Sequence, residues 1–170
     1  CSLFPQGSAR WVECSANQRN RALRINYTSA SEPFNDGRTK GFLHNLDHEI
    51  FHVIDLATLG TWGDGSSSSR GFISLNPPGS GYGNGGLSMV ESISSGAARS
   101  SPGFVTAYAR ASVMEDKAEV YSSYITNPQA FANTARADSA IAGKFNIVVG
   151  MLKQLCDGGR CQLPAMYRRF

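Results

Sequence analysis

Ten of the eighteen glycines in this 170-residue chain fall between Gly60 and Gly96, together with Pro77, Pro78 and four consecutive serines at 66–69. In a helix interior glycine costs about 1 kcal/mol and proline about 3 kcal/mol relative to alanine, so no long regular element is expected to cross this stretch. It reads as a mostly looped segment between two parts of the chain with periodic apolar patterns. One short apolar run inside it, residues 71–75, reads as a strand. Loops of this length in a compact domain usually border a site, and residues 79–86 are the candidate flap.

Before the glycine-rich stretch, Leu23, Ile25 and Tyr27 alternate with Arg24 and Asn26, the pattern of a half-buried strand over 22–28. Over 41–59 the apolar residues Phe42, Leu43, Leu46, Ile50, Phe51, Val53, Ile54 and Leu56 recur at three and four, and Gly60 follows. That spacing predicts a helix with a stop signal. After the stretch, Ser101 and Pro102 read as N-cap and first residue of a helix to about residue 124. Asn127 and Pro128 repeat the signal for a third helical region, broken near Asp138 and ending around Leu155. The length suits one domain over 1–170. The expected class is α+β: a small mixed sheet packed on the 41–59 helix, followed by a mainly helical half.

Several classes of function are excluded or disfavoured. No apolar run approaches the roughly 20 residues of a membrane helix. The net charge is +3 and the basic residues are scattered, not gathered in a stripe, so nucleic acid is a poor partner. Cys1, Cys14, Cys156 and Cys161 sit near the two ends with no CxxC pair among them, which favours disulfides over a cysteine metal site. Of the three connectivities four cysteines allow, the local one, Cys1 with Cys14 and Cys156 with Cys161, is expected. With the glycosylation sequon Asn26-Tyr27-Thr28, this points to an exported protein, secreted or at the cell surface; a first residue Cys also fits a processed bacterial lipoprotein.

All three histidines lie within nine residues, at 44, 48 and 52, inside the 41–59 helix. Residues four apart share a helix face, so His48 and His52 can aim both imidazoles at one metal ion. Glu49 completes the pattern HExxH and is placed to act as general base toward a metal-bound water. His44 has Asn45 where a glutamate would stand, and is expected at the surface or at a pocket rim. A catalytic zinc takes three protein ligands and a water, and no histidine remains for the third. Among the acidic residues downstream, only Glu115, Asp116 and Glu119 form a dense cluster on an expected helix. Glu115 is the leading candidate. Glu119, four residues on, can accept the ring N–H of a ligand histidine and fix its tautomer.

Residues 48–55, reading HEIFHVID, and 115–119, reading EDKAE, together resemble the glutamate-type zincin metallopeptidases, especially the group containing anthrax lethal factor and the Pro-Pro endopeptidases. In that group a HExxHxxD helix is followed by a helix bearing ExxAE. The resemblance implies Zn²⁺ on His48, His52 and Glu115, with Glu49 as general base. It also implies an oxyanion-stabilising tyrosine seven residues before the ligand glutamate, the position of Tyr108. Asp55 then either accepts a hydrogen bond near a ligand or packs the helix end. Phe51 stands where the group has a small residue. The implied function is a zinc endopeptidase acting on a protein or peptide as a monomer, with substrate laid along the 71–75 strand. Two other readings are an inert zincin-like binding module and a zinc hydrolase of a non-peptide amide or ester. The first has no need of Glu49.

Overall fold

The computed structural model describes residues 12–17, 22–27, 37–59, 67–83 and 101–156, with side chains over 43–58, 68–83 and 101–156. The expected first helix forms and begins earlier, as α1 (Gly37–Leu59), about 34 Å long at 1.5 Å per residue. Before it, β1 (Val12–Asn17) and β2 (Ala22–Tyr27) pair antiparallel, Val12 opposite Tyr27 and Asn17 opposite Ala22. After it come α2 (Ser67–Ser74), a 3₁₀ turn (Tyr108–Arg110), α3 (Val113–Thr126), α4 (Pro128–Ala137) and α5 (Ser139–Leu155). No helix among the described residues is long and apolar enough to cross a membrane.

The fold is therefore helical, which corrects the α+β expectation. Among the described residues the only strand pairing is the β1–β2 ribbon, and no mixed sheet lies on α1. Residues 71–74 of the expected strand belong to α2 and Leu75 to the turn after it, so no edge strand is available there for substrate. The helical period explains the difference: Ser69 and Phe72, three apart, are both fully buried, while Ile73 is 42% exposed. Five residues are too short a window to show that period, which emerges only when the preceding serines join the helix. Residues 79–83 of the expected flap are tied down, Gly83 N–H donating to Arg110 O at 2.7 Å and the Tyr82 hydroxyl to Asp116 Oδ2 at 2.7 Å; residues 84–86 lie outside the described residues.

The helix expected from Ser101 is also corrected. Residues 101–104 form a turn, Phe104 N–H donating to Ser101 O, because Gly103 adopts φ +83° and a right-handed helix cannot pass through it. Helix α3 starts only after Ser112, whose extended backbone breaks the chain and whose Oγ accepts the Glu115 N–H at 3.2 Å. The later signals act as expected. Asn127 Oδ1 caps Ala130 N–H with Pro128 in the first turn, and Asp138 Oδ1 caps Ala140 and Ile141 N–H while its Oδ2 accepts from Gly103 N–H at 2.7 Å.

Gly103 thus holds the 101–104 turn against the start of α5, and a Cβ there would lie 2.5 Å from Pro77 Cδ. Both the positive φ and the contact penalise a side chain. Gly103→Ala is expected to destabilise by about 2–3 kcal/mol. Urea unfolding checks this, and an unchanged midpoint would show that the turn relaxes freely.

Helix α1 packs chiefly against α3, and α5 closes the other side through Ile141, Phe145, Val148 and Leu152. Phe51, bulky for its place in the motif, is fully buried with its ring 5.0 Å from that of Tyr121. Burial of such a ring contributes roughly 2–3 kcal/mol, and here it joins the two helices that carry the histidines and the acidic cluster. Phe51 therefore fills the α1–α3 seam beside the histidines without intruding among them.

Candidate metal centre

Helical spacing places His44, His48 and His52 on one face of α1, and Glu115 and Glu119 on one face of α3. Because these helices pack together, the two faces meet. His48, Glu49, His52 and Glu119 are all buried, whereas the Glu115 side chain keeps 18% of its surface exposed. The cluster is thus closed behind and open on the Glu115 side.

Three donor atoms converge. His48 Nε2 lies 2.7 Å from Glu115 Oε2 and 3.1 Å from His52 Nε2, and His52 Nε2 lies 3.4 Å from the same Glu115 oxygen. Donors on a tetrahedral zinc with bonds of about 2.0–2.1 Å stand about 3.3 Å apart, so a small outward movement of Glu115 accommodates the ion. The donor chemistry also fits. Two imidazoles and one carboxylate form a common set for a catalytic zinc that keeps an open position, and these three residues form a metal-capable His/Glu group among the described residues.

Glu119 supports this set from behind. The His48 Nδ1–H donates to Glu119 Oε1 at 2.7 Å, the Thr106 hydroxyl donates to Oε2 at 2.7 Å, and His44 Nε2 lies 3.2 and 3.3 Å from the two oxygens. Burial disfavours charge throughout the cluster, but the contacts outweigh it. Burial pulls the His48 imidazole down, yet hydrogen bonds to Glu115 and Glu119 raise it to about 9. Burial pushes Glu115 up, yet His48 and His52 bring it down to about 2. Glu119 is likewise held well below the usual carboxylate range by His44 and His48, against its burial. Both glutamates are therefore anions at neutral pH, as a ligand and its supporting acceptor need to be.

Tyr108 sits in the 3₁₀ turn and not on a helix, its ring centroid 5.8 Å from that of His48. Burial and then the carboxylates of Glu115, Glu119 and Glu49 push its hydroxyl above the ordinary tyrosine range, so it stays a hydrogen-bond donor. The residues expected at the site are thus close together, and Asp55, three residues past His52 on α1, is engaged by a different partner. Its carboxylate accepts from Lys117 Nζ at 3.1 and 3.2 Å, and the same ammonium reaches Ser69 Oγ at 3.0 Å. Of the two roles left open for Asp55, these bonds match helix-end packing, joining α1 to α3 and α2.

Sequence reasoning missed three features. Lys117, between the two glutamates of the cluster, is fully buried. Lys144 is fully buried too, donating to Asp116 Oδ2 at 2.6 Å and to Gly103 O at 2.7 Å under the Phe104 ring. A lone cation in the apolar run 141–149 was the available signal. Thr106 gave no signal at all. His44 lines a cavity of about 240 Å³ with Val105, Thr126, Ala130 and Phe131, in keeping with a pocket-rim position, and in addition contacts Glu119 and Ser122. The expected disulfides involve Cys1, Cys14 and Cys161, whose side chains lie outside the described residues.

A comparison of the chain with protein-family models finds no match, nor does one with curated proteins or with solved structures.

Proposed function

We propose that the chain is a zinc-dependent peptidase in which His48, His52 and Glu115 hold the ion. The observation that carries this reading is the convergence of the two Nε2 atoms and one carboxylate oxygen within 3.4 Å of one another, with Glu49 adjacent in sequence. Zinc bound there supplies a water of lowered pKa and polarises the carbonyl to be cleaved. Glu49, buried beside the ligands, takes the proton of the attacking water and passes it to the leaving amine. Tyr108 keeps its proton and donates a hydrogen bond to the developing oxyanion, a contact worth roughly 3–4 kcal/mol at a preorganised site. Glu119 holds His48 in the tautomer whose Nε2 lone pair faces the ion. The motif resemblance to the glutamate-type metallopeptidases favours a peptide substrate, and the cysteine placement favours an exported enzyme.

A peptide-library screen with zinc-loaded protein tests the proposal, with Glu49→Gln as control. The variant is expected to retain zinc and lose at least about 100-fold in kcat, the usual scale of general acid–base catalysis. Zinc binding without any cleavage in the wild type would favour a binding module. Intact peptides alongside a cleaved small amide or ester would favour a non-peptide hydrolase. Cleavage unaffected by Glu49→Gln would remove Glu49 from the mechanism.

A further inference from the structure

We infer that Thr106 is a positioning residue for the metal centre, acting through Glu119, with His44 in a lesser version of the same role; the inference rests on the zinc reading of His48, His52 and Glu115. Glu119 is 5% exposed, so water cannot orient its carboxylate and neighbouring side chains must. Two strong contacts hold its opposite oxygens: His48 Nδ1–H on Oε1 and the Thr106 hydroxyl on Oε2, both at 2.7 Å. A carboxylate gripped at both oxygens cannot rotate about its last bond, so Oε1 stays on Nδ1.

The direction of the Thr106 proton follows from its other contact. Thr106 Oγ1 accepts the Ala109 N–H at 3.1 Å, which occupies a lone pair and leaves the single hydroxyl proton for Glu119. A threonine hydroxyl has one proton and two lone pairs, so both bonds are met together. Ala109 lies in the Tyr108–Arg110 turn. One hydroxyl therefore fixes the acceptor behind His48 and also the turn that carries Tyr108. His44 adds a longer, divided contact at 3.2 and 3.3 Å and is itself shared with Ser122 Oγ at 3.2 Å. Its grip on Glu119 is accordingly weaker.

Outer partners of metal-binding histidines typically set affinity by 10–100-fold. Zinc affinity of the full chain, measured by competition with a chromophoric chelator, is expected to fall by about 10–100-fold in Thr106→Val. Thr106→Ser, which keeps the hydroxyl, should stay within about threefold of wild type, and His44→Gln should lose less than about tenfold. Cobalt(II) loading gives a second readout, with the visible d–d bands displaced in Thr106→Val and restored in Thr106→Ser. A purely structural threonine would lower the unfolding midpoint of the metal-free chain and leave affinity and bands alone. Should the valine variant not fold, Thr106→Ala removes the same hydroxyl with less steric demand and is expected to show the same loss. Wild-type affinity in a folded Thr106→Val or Thr106→Ala overturns the inference while leaving the zinc reading intact. Failure of the wild type itself to bind zinc or cobalt overturns both, and the two failures are thereby distinct.

Discussion

Glu115→Gln and His52→Ala should each weaken zinc binding by more than about 100-fold while leaving the helical circular dichroism unchanged. The scale follows from the weaker case: loss of a partner outside the ligand set already costs 10–100-fold, and a ligand contributes more than its support. Glutamine keeps the shape of Glu115 and one oxygen, but it brings no charge. Two neutral imidazoles from α1 and a neutral amide from the first turn of α3 then face a dication, and the positive end of α3, which favours an anion at residue 115, is left without one. In His52→Ala the loss is a donor, since Nε2 of His52 lies within 3.4 Å of both other ligand atoms. Elemental analysis of the purified chains and chelator competition measure the effect. Glu115→Gln holding zinc at wild-type affinity would place the ion elsewhere and remove the basis of the peptidase reading.

The parts of this centre that were legible in sequence are those that helical geometry determines alone. His48 and His52 share a face because they are four apart, and so do Glu115 and Glu119; only the meeting of α1 with α3 had to be added. Local caps were legible for the same reason, Asn127 and Asp138 each standing directly before the residues whose N–H groups they accept. The start of α3 was present in sequence as well, since Ser112 and Glu115 have capping-box spacing. Only half of that box forms, because the Glu115 carboxylate turns to His48 instead of its own backbone. The competing signal at Ser101 and Pro102 is locally sound, and it fails through the backbone of Gly103, which is set by contacts with Pro77 and Asp138 far along the chain. Thr106 depends wholly on tertiary placement. Nothing in its neighbours marks it, and its role exists only because Glu119 arrives beside it. The expected sheet failed by a different route: Ser69 is buried because Lys117 needs an oxygen there, and that partner turns a serine run into the first turns of a helix.

Lys144→Met should destabilise the fold by about 3–5 kcal/mol, the usual cost of leaving a buried charge without its partner. Lys144 and Asp116 are both fully buried, 2.6 Å apart. Burial pushes Asp116 up to about 6 against the pull of Lys144, and burial likewise lowers Lys144, so each is ionised at neutral pH largely because the other is. Methionine fills the space of the lysine stem, so packing is nearly conserved and the electrostatic loss dominates. What remains on Asp116 is the Tyr82 hydroxyl at 2.7 Å on Oδ2, while Oδ1 has no partner among the described residues. Adding Asp116→Asn to Lys144→Met removes the stranded charge and keeps an acceptor for Tyr82. The double variant is therefore expected to recover about 1–3 kcal/mol relative to the sum of the single effects, the coupling typical of residues in one network. Urea unfolding of the four chains gives that coupling directly. A loss below about 1 kcal/mol in Lys144→Met would mean that the pair is solvated. A large loss with no coupling would mean that Lys144 acts through Gly103 O and the Phe104 ring, not through Asp116. The distinction bears on the site, because Asp116 follows Glu115 and precedes Lys117, whose own bond runs to Asp55 on α1. The two buried pairs thus tie α3 to α5 through Asp116 and to α1 through Lys117, and both start from residues that lie between Glu115 and Glu119. They limit how far α3 can turn, and so help to hold Glu115 and Glu119 toward the histidines of α1.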